Sequence, residues 1–173
     1  MPISFDSPNG RLDIVSAYGP DPASPEIVQI QYGTGLVLPC ASPLYLARHH
    51  YPQSPDDLTS HAIVRYTPHL GVHPLGFEVA SVNGVQWFKS GGMLTVNSSE
   101  NYLAAGLAGL GIIQIPRIAV REALRAGRLI EVLPGYRAEP LSLSLVYPQR
   151  RELSRRVNLF MQWLAGVMKE HLD

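Results

Sequence analysis

The chain has 173 residues, of which 46% are hydrophobic and 16% charged, so it can bury a core and does not resemble a disordered chain. No apolar run approaches the roughly 20 residues that span a bilayer, which excludes an integral membrane protein. The formal net charge is +0 at pH 7, so the chain lacks a basic nucleic-acid footprint, and its single cysteine excludes a disulfide framework. The first residues do not form a secretory signal, and we therefore expect a cytoplasmic protein.

Turn residues and apolar alternation predict short elements in the first third of the chain. Strands are predicted at residues 12–18 and 27–32, and the apolar residues 36–38 lead into residues 39–41. Ser42 followed by Pro43 is typical of a helix start, and the cations at residues 48–50 suit the end of this short helix. Residues 54–58 repeat the serine-proline pattern and predict a single helical turn.

The middle of the chain combines a strand, a hairpin and a capped helix. Residues 61–66 are a predicted strand, and residues 76–94 are a predicted hairpin whose turn, at residues 82–85, contains Asn-Gly. A strand at residues 94–96 runs into a helix start at residues 97–100. Leu103, Leu107 and Leu110 define the expected buried face of this helix, and Gly111 is its expected end.

The last third of the chain continues the alternation. A short strand at residues 112–115 precedes a helix that begins at Pro116 and ends at Gly127, and strands follow at residues 129–133 and 141–147. The terminal helix is amphipathic, and its apolar face consists of Leu153, Val157, Phe160, Met161, Leu164 and Met168. Strands that alternate with capped helices predict an α/β fold with a largely parallel sheet.

Two serines lie at predicted strand-to-helix turns. Ser42 and Ser98 each precede a helix N-terminus, where free backbone N–H groups and the helix dipole favour an anion. Ligands of open α/β sheets bind where strands end in such turns. If both turns face one cleft, a small carboxylate is the expected ligand. The alternative is that each serine only caps its own helix.

No pattern for catalysis, metal binding or cofactor binding is present. The sequence lacks Gly-x-Ser-x-Gly, a phosphate-binding glycine loop and His-Glu-x-x-His. His49 and His50 would point about 100° apart on a helix, which disfavours a shared metal. Cys40, in a strand, is expected to be a small buried hydrophobe. We therefore predict no catalytic residue, no metal site and no cofactor.

Six short segments follow one another in a recognisable order. They are GRLDI at 10–14 with GP at 19–20, CASPLYL at 40–46, LTVNS at 94–98, GLGI at 109–112 with IP at 115–116, GRLIEVLP at 127–134 and LVYP at 145–148. Together they resemble the C-terminal effector-binding domain of LysR-type transcriptional regulators. The resemblance covers almost the whole chain from Gly10 onward.

The resemblance implies an α/β fold like that of the type 2 periplasmic binding proteins, with two α/β lobes joined by crossover strands. On this mapping, residues 1–38 and 142–173 form an incomplete first lobe, and residues 39–141 form the second. Effectors of the family touch the Ser-Pro helix start, the loop after one strand and one strand-to-helix turn. The corresponding ligand-binding positions are Ser42, Thr67, Pro68, His69, Asn97 and Ser98.

The sequence also departs from the family pattern. The winged helix-turn-helix that binds DNA has no counterpart in it, and the match begins near Gly10, so we expect an N-terminally truncated domain. An incomplete first lobe would expose an edge strand and favour association. The resemblance implies that an intact protein binds DNA through the missing N-terminal domain, forms a homodimer or homotetramer and has no contact with a membrane.

The predicted function is therefore that of a non-catalytic sensing module for a small molecule, an organic acid by the anion argument, in a bacterial transcriptional regulator. Ligand binding would shift the lobes and thereby change DNA binding in the intact protein. Two alternatives stay open. One is a solute-binding protein of a transport system on the same fold, and the other is a small serine hydrolase that uses Ser42 or Ser98.

Overall fold

The computed structural model describes residues 27–67, 76–88, 92, 94–148 and 155–171. The chain divides into two units, and the second of them runs from Leu36 to Pro140. The described part of the first unit consists of residues 27–35, 141–148 and 155–171. The predicted strand at residues 12–18 lies outside the described residues. The predicted lobe bounds, 1–38 with 142–173 and 39–141, stay a prediction.

The elements alternate between strands and helices, as expected for an α/β chain. The first part of the order is β1 (Ile27–Gly35), β2 (Val37–Ala41), α1 (Pro43–His49), a 3₁₀ turn (Pro55–Ser60), β3 (Val64–Tyr66), β4 (Phe77–Ser81), β5 (Gly84–Phe88) and β6 (Leu94–Val96). The second part is α2 (Ser99–Leu107), β7 (Ile113–Pro116), α3 (Arg117–Arg125), β8 (Ile130–Glu131), β9 (Leu141–Pro148) and α4 (Arg155–His171).

In the first unit, β1 and β9 form an antiparallel ribbon. Partners run from Ile27 opposite Pro148 to Gly35 opposite Leu141, with an irregularity between Gln31 and Gly33. Helix α4 confirms the predicted terminal helix. The predicted apolar positions within it are half-buried, namely Val157, Phe160, Met161, Leu164 and Met168, whereas Leu153 lies outside the described residues.

The strand pairs of the second unit are partly antiparallel and partly parallel, so the expectation of a largely parallel sheet is wrong. Strand β2 lies between β7 and β8 and is antiparallel to both. Strands β3 and β6 are parallel, and a parallel bridge from Ile63 to Ile112 joins β3 to the start of β7. Strands β3, β6, β7 and β8 therefore point one way and β2 the other. Strands β4 and β5 are antiparallel because a two-residue loop cannot join parallel strands.

Two clusters of buried side chains fill the second unit. One joins β2 and β7 to α2 and α3, with Cys40, Ile113 and Val120 each 0% exposed. The other packs α1 and the 3₁₀ turn against β4, with Leu58 and Phe77 at its centre. Burial of this kind contributes roughly 1.5–3 kcal/mol for each large apolar side chain. This packing fixes the strands relative to the helices that follow them.

Several predicted bounds are wrong, and local geometry explains two of them. The hairpin turn consists of Val82 and Asn83, one residue earlier than the Asn-Gly pair, since Ser81 pairs with Gly84. Helix α2 ends at Leu107, and its reversal uses Gly109, whose φ is +76°, rather than Gly111. The predicted 129–133 strand is reduced to β8.

The predicted buried face of α2 is also partly wrong. Leu103 and Leu107 are partly buried and pack against the core, as expected. Leu110 lies beyond the end of the helix and is 55% exposed. The residues of α2 that are fully buried are Tyr102, Ala105 and Gly106. A small residue is required at Gly106, because a Cβ there would lie 2.5 Å from Cδ1 of Ile113.

Candidate functional site

Strands β3 and β6 end at the same edge of the sheet. They are parallel and in register, with Tyr66 opposite Val96. The next residue after β3, Thr67, is buried and donates its backbone N–H to the carbonyl of Val96 at 2.9 Å. Asn97, the next residue after β6, is exposed. We call Tyr66, Thr67, Asn97 and Ser98 the β3–β6 edge.

Ser98 caps α2 at this edge. Its hydroxyl oxygen accepts a hydrogen bond from the backbone N–H of Asn101 at 3.3 Å, which confirms the predicted helix start. The same hydroxyl donates to Oε2 of Glu100 at 2.6 Å. This hydrogen bond is the main reason why the pKa of Glu100 lies below its usual value. The chain therefore places its own carboxylate where an anionic ligand would meet the helix N-terminus.

Two tyrosines line the β3–β6 edge on the side of α2. Tyr66 is 44% exposed, and its ring centroid lies 5.7 Å from that of Tyr102. The Tyr102 hydroxyl oxygen accepts a hydrogen bond from the backbone N–H of Gln114 at 2.8 Å. Burial raises the pKa of Tyr102 to about 12, so its phenol is neutral at physiological pH. Tyr66 thus offers an aromatic surface beside the polar groups of the edge.

Ser42 lies far from this edge, at the opposite end of α2. Its hydroxyl accepts a hydrogen bond from the backbone N–H of Tyr45 at 3.3 Å, and the side chain is 2% exposed. A Cβ built on Gly109, which follows the C-terminal end of α2, would lie 3.1 Å from the Ser42 hydroxyl oxygen. Because α2 has nine residues, its ends are about 13 Å apart.

The predicted ligand-binding residues therefore divide into two groups. The structure brings Thr67, Asn97 and Ser98 together, and it places Ser42 after β2, a strand that runs in the opposite direction to β3 and β6. The expectation that the Ser42 and Ser98 turns face one cleft is wrong, because β2 runs antiparallel to β7 and so ends at the opposite edge from β3 and β6. The other two predicted positions, Pro68 and His69, lie outside the described residues.

The remaining candidates are consistent with their predicted environments. Cys40 is fully buried, and desolvation raises the pKa of its thiol to about 12, so it is not a nucleophile. His49 and His50 are exposed at the end of α1. Within the described ranges no group of three histidine, cysteine, aspartate or glutamate side chains is placed to hold a metal ion.

Sequence reasoning missed the two residues that shape the edge most. Tyr66 reads as an ordinary strand residue, and only the register of β3 against β6 shows that it borders the site. Glu100 reads as a favourable acid in the first turn of a helix, and only the 2.6 Å contact shows that it engages the Ser98 hydroxyl. An acid two residues after a serine cap is the one available sequence signal for that contact.

Comparison with known families identifies the domain. The profile described as "LysR substrate binding domain" matches residues 8–169. The chain belongs to the LysR substrate-binding domain family. This confirms the resemblance found in the six sequence segments, and it assigns the chain to a family of transcriptional regulators rather than of enzymes.

Curated relatives of this LysR domain carry the names of regulators. Over 134 residues the chain is 96% identical to the uncharacterized HTH-type transcriptional regulator YhjC of Escherichia coli K12. The aligned stretch covers 78% of the chain and 45% of YhjC. It is 29% identical to the HTH-type transcriptional activator TtdR of Escherichia coli K12, over 77% of the chain and 42% of TtdR. The chain thus spans about half the length of the curated relatives it matches.

Solved structures support the fold of the LysR domain. The CrgA regulatory domain of Neisseria meningitidis matches with a TM-score of 0.73 and 22% identity, over 86% of this chain and 72% of that one. Full-length AphB of Vibrio cholerae matches with a TM-score of 0.73 and 23% identity, over 89% of this chain and 51% of that one. These likenesses confirm the expected type 2 periplasmic-binding-protein-like α/β fold. No helix in the described ranges is long and apolar enough to cross a membrane.

Proposed function

We propose that this domain senses a small organic acid and that it does so within a cytoplasmic, homo-oligomeric transcriptional regulator. In such a protein, a separate helix-turn-helix domain would bind DNA. Membership of the LysR substrate-binding domain family supports the sensing role, and it favours a regulator over a transport protein or a serine hydrolase. The proposed ligand contacts are Thr67, Asn97 and Ser98, together with Pro68 and His69.

The observation that carries the proposal is the parallel, in-register pair β3 and β6, which ends beside the N-terminus of α2. Open α/β sheets bind ligands outside the carboxyl ends of their strands, and a helix N-terminus at that place presents free N–H groups. Asn97 offers an exposed amide, Ser98 a hydroxyl, and Tyr66 an aromatic face. This combination suits a small acid with an apolar or planar body.

Glu100 determines how such an acid would enter. The ligand carboxylate would replace the Glu100 carboxylate as the acceptor of the Ser98 hydroxyl hydrogen bond. Glu100 is exposed, so its side chain can turn into solvent when the ligand binds. The exchange would preserve one charge-assisted hydrogen bond at the helix start, and the ligand would add contacts of its own.

Thermal unfolding of the full chain with a panel of small mono- and dicarboxylates tests the proposal. An acid that binds only the folded state raises Tm by mass action. We expect one acid or one chemical group of acids to raise Tm, and we expect Ser98→Leu to remove the shift. Ser42→Ala is the matched control, since it alters the cap of α1, which lies near the other end of α2, and it should retain the shift. An acid-induced shift that survives Ser98→Leu would place the ligand elsewhere.

A further inference from the structure

A buried tyrosine joins α1 to the segment before β3. Tyr45 and His61 are 2% and 5% exposed, and the Tyr45 hydroxyl oxygen lies 3.1 Å from Nδ1 of His61. The same oxygen accepts a hydrogen bond from the backbone N–H of Ala62 at 2.8 Å and lies 3.4 Å from the Ala62 carbonyl oxygen. The Tyr45 hydroxyl therefore connects α1 to this segment through His61 and the backbone of Ala62.

Two further histidines lie near Tyr45 and His61. The ring of His49 stacks on Tyr45 with centroids 4.5 Å apart, and it lies 6.5 Å from the ring of His61. His50 ends α1 with a φ of 65°, a left-handed conformation that costs energy in a residue with a Cβ. We call Tyr45, His49, His50 and His61 the Tyr45 cluster. The cluster therefore extends along α1 from its first turn, which contains Tyr45, to His50, which ends the helix.

The charges that face His61 come from two elements. His49 and His50, on α1, disfavour a positive charge on His61, whereas Asp57, on the 3₁₀ turn, favours it. The Asp57 carboxylate also accepts hydrogen bonds from the backbone N–H groups of Gln53 and Ser54, at 2.7 and 3.0 Å, so it is only partly available to His61. Strand β5 packs against the turn, and no residue of this strand is ionisable.

We infer that the Tyr45 cluster is an acid-responsive connection, in which protonation of the buried His61, beside His49 and His50, loosens α1 from the sheet at mildly acidic pH. The proton is thus a second input to the domain, independent of the ligand at the β3–β6 edge. The Tyr45 cluster lies close to Ser42, because Tyr45 follows the Ser42 cap within the first turn of α1.

The hydrogen bonds can be satisfied in both protonation states, so the response is electrostatic. With neutral His61, the Tyr45 hydroxyl can donate to Nδ1. With protonated His61, Nδ1–H donates to the Tyr45 oxygen, and the hydroxyl proton can turn to the Ala62 carbonyl oxygen. What changes is the buried positive charge of His61, beside the side chains of His49 and His50. Burial, and secondarily His49, lowers the pKa of His61.

The direction of the pH effect follows from that lowered pKa. The unfolded chain takes up a proton on this histidine near pH 6.5, whereas the folded chain resists it. The contribution of His61 to stability is therefore complete above about pH 6.5, and it is lost as the pH falls from there through the lower pKa of the folded state.

Thermal unfolding between about pH 7.5 and 5.5 tests the inference, since histidines titrate in this range. We expect the fall in Tm across that range to shrink by about half in His61→Gln, whose amide can still accept from the Tyr45 hydroxyl. His171→Gln, a substitution in α4 of the other unit, is the matched control and should leave the fall unchanged. If Tm falls by the same amount in His61→Gln as in the native chain, the inference is overturned.

A second variant covers the case in which His61→Gln does not fold. His49→Gln/His50→Gln changes two exposed side chains and should leave the fold intact. A histidine NMR titration of this variant should show the pKa of His61 closer to 6.5 than in the native chain, because two neighbouring charges have been removed. An unchanged titration of His61 shows that the three histidines do not act together and overturns the inference.

Discussion

Ser42 and Ser98 follow strands, cap helices and accept a hydrogen bond from the backbone N–H three residues later, at 3.3 Å in each case. Their surroundings differ. Ser42 is buried against the reversal at Gly109, whereas Ser98 is half-buried and its hydroxyl donates to an exposed carboxylate. Ser42 therefore has a structural role, and of the two caps only Ser98 belongs to the proposed ligand site.

The difference arises from strand direction rather than from local sequence. A cap at the end of β6 lies at the edge where β3 also ends, because those strands are parallel. A cap at the end of β2 lies at the opposite edge, where β8 begins, because β2 is antiparallel to β8. The same pattern of residues thus stabilises a helix at both places but can form a ligand site only where strand ends converge.

The largest expected effect is the loss of stability in Gly111→Ala, a substitution on the same side of the second unit as Ser42. A Cβ at Gly111 would lie 2.6 Å from the carbonyl oxygen of Ala62, which is backbone and cannot move without breaking the bridge to Ile112. We expect a loss of about 3 kcal/mol in the free energy of unfolding, measured by urea denaturation. Gly127→Ala is the control, since a Cβ there meets nothing within 4 Å and only the φ of +64° is unfavourable. Equal losses of stability in the two variants would show that the approach of the Gly111 Cβ to the Ala62 carbonyl oxygen is not the cause of the destabilisation.

Ser42→Ala should have a smaller effect that is confined to stability. The Tyr45 backbone N–H keeps its bond to the Ser42 carbonyl oxygen at 3.1 Å, so loss of the buried hydroxyl should cost about 1 kcal/mol. Urea denaturation measures this loss, and the acid-induced rise in Tm should persist. A variant of native stability that no longer responds to the acid would reverse the roles assigned to the two serines.

Ser98→Ala should show the opposite behaviour. Solvent can replace the cap at this half-buried position, so we expect a stability loss of about 0.5 kcal/mol. The acid-induced rise in Tm should fall to the experimental error, because the hydroxyl that donates to the ligand carboxylate is gone. Titration calorimetry with the same acid provides an independent measure of affinity. Unchanged affinity would mean that Ser98 is only a cap.

The sequence predicts the local events of this fold well and the long-range ones poorly. Both serine caps and the stop at Gly127, whose φ is +64°, follow from two or three adjacent residues and are confirmed, and the helix predicted from Pro116 begins one residue later, at Arg117. The antiparallel direction of β2 and the exposure of Leu110 depend on distant partners, which periodicity does not encode. The site was therefore predicted as a set of residues, and the structure was needed to remove Ser42 from it.

Glu100→Gln should have the smallest effect on the fold and the most specific effect on the site. The glutamine oxygen can still accept from the Ser98 hydroxyl, so the helix start is preserved, but the negative charge beside the proposed ligand is removed. The lowered pKa of Glu100 means that this charge is present at neutral pH, where it opposes an incoming acid. We expect the variant to bind the acid at least about twofold more tightly at low ionic strength, with the gain declining as salt screens the charge. Titration calorimetry at two salt concentrations measures both quantities. An affinity that is equal to the native value at both concentrations would show that the ligand does not displace Glu100, and the anion would then have to bind away from the Ser98 hydroxyl.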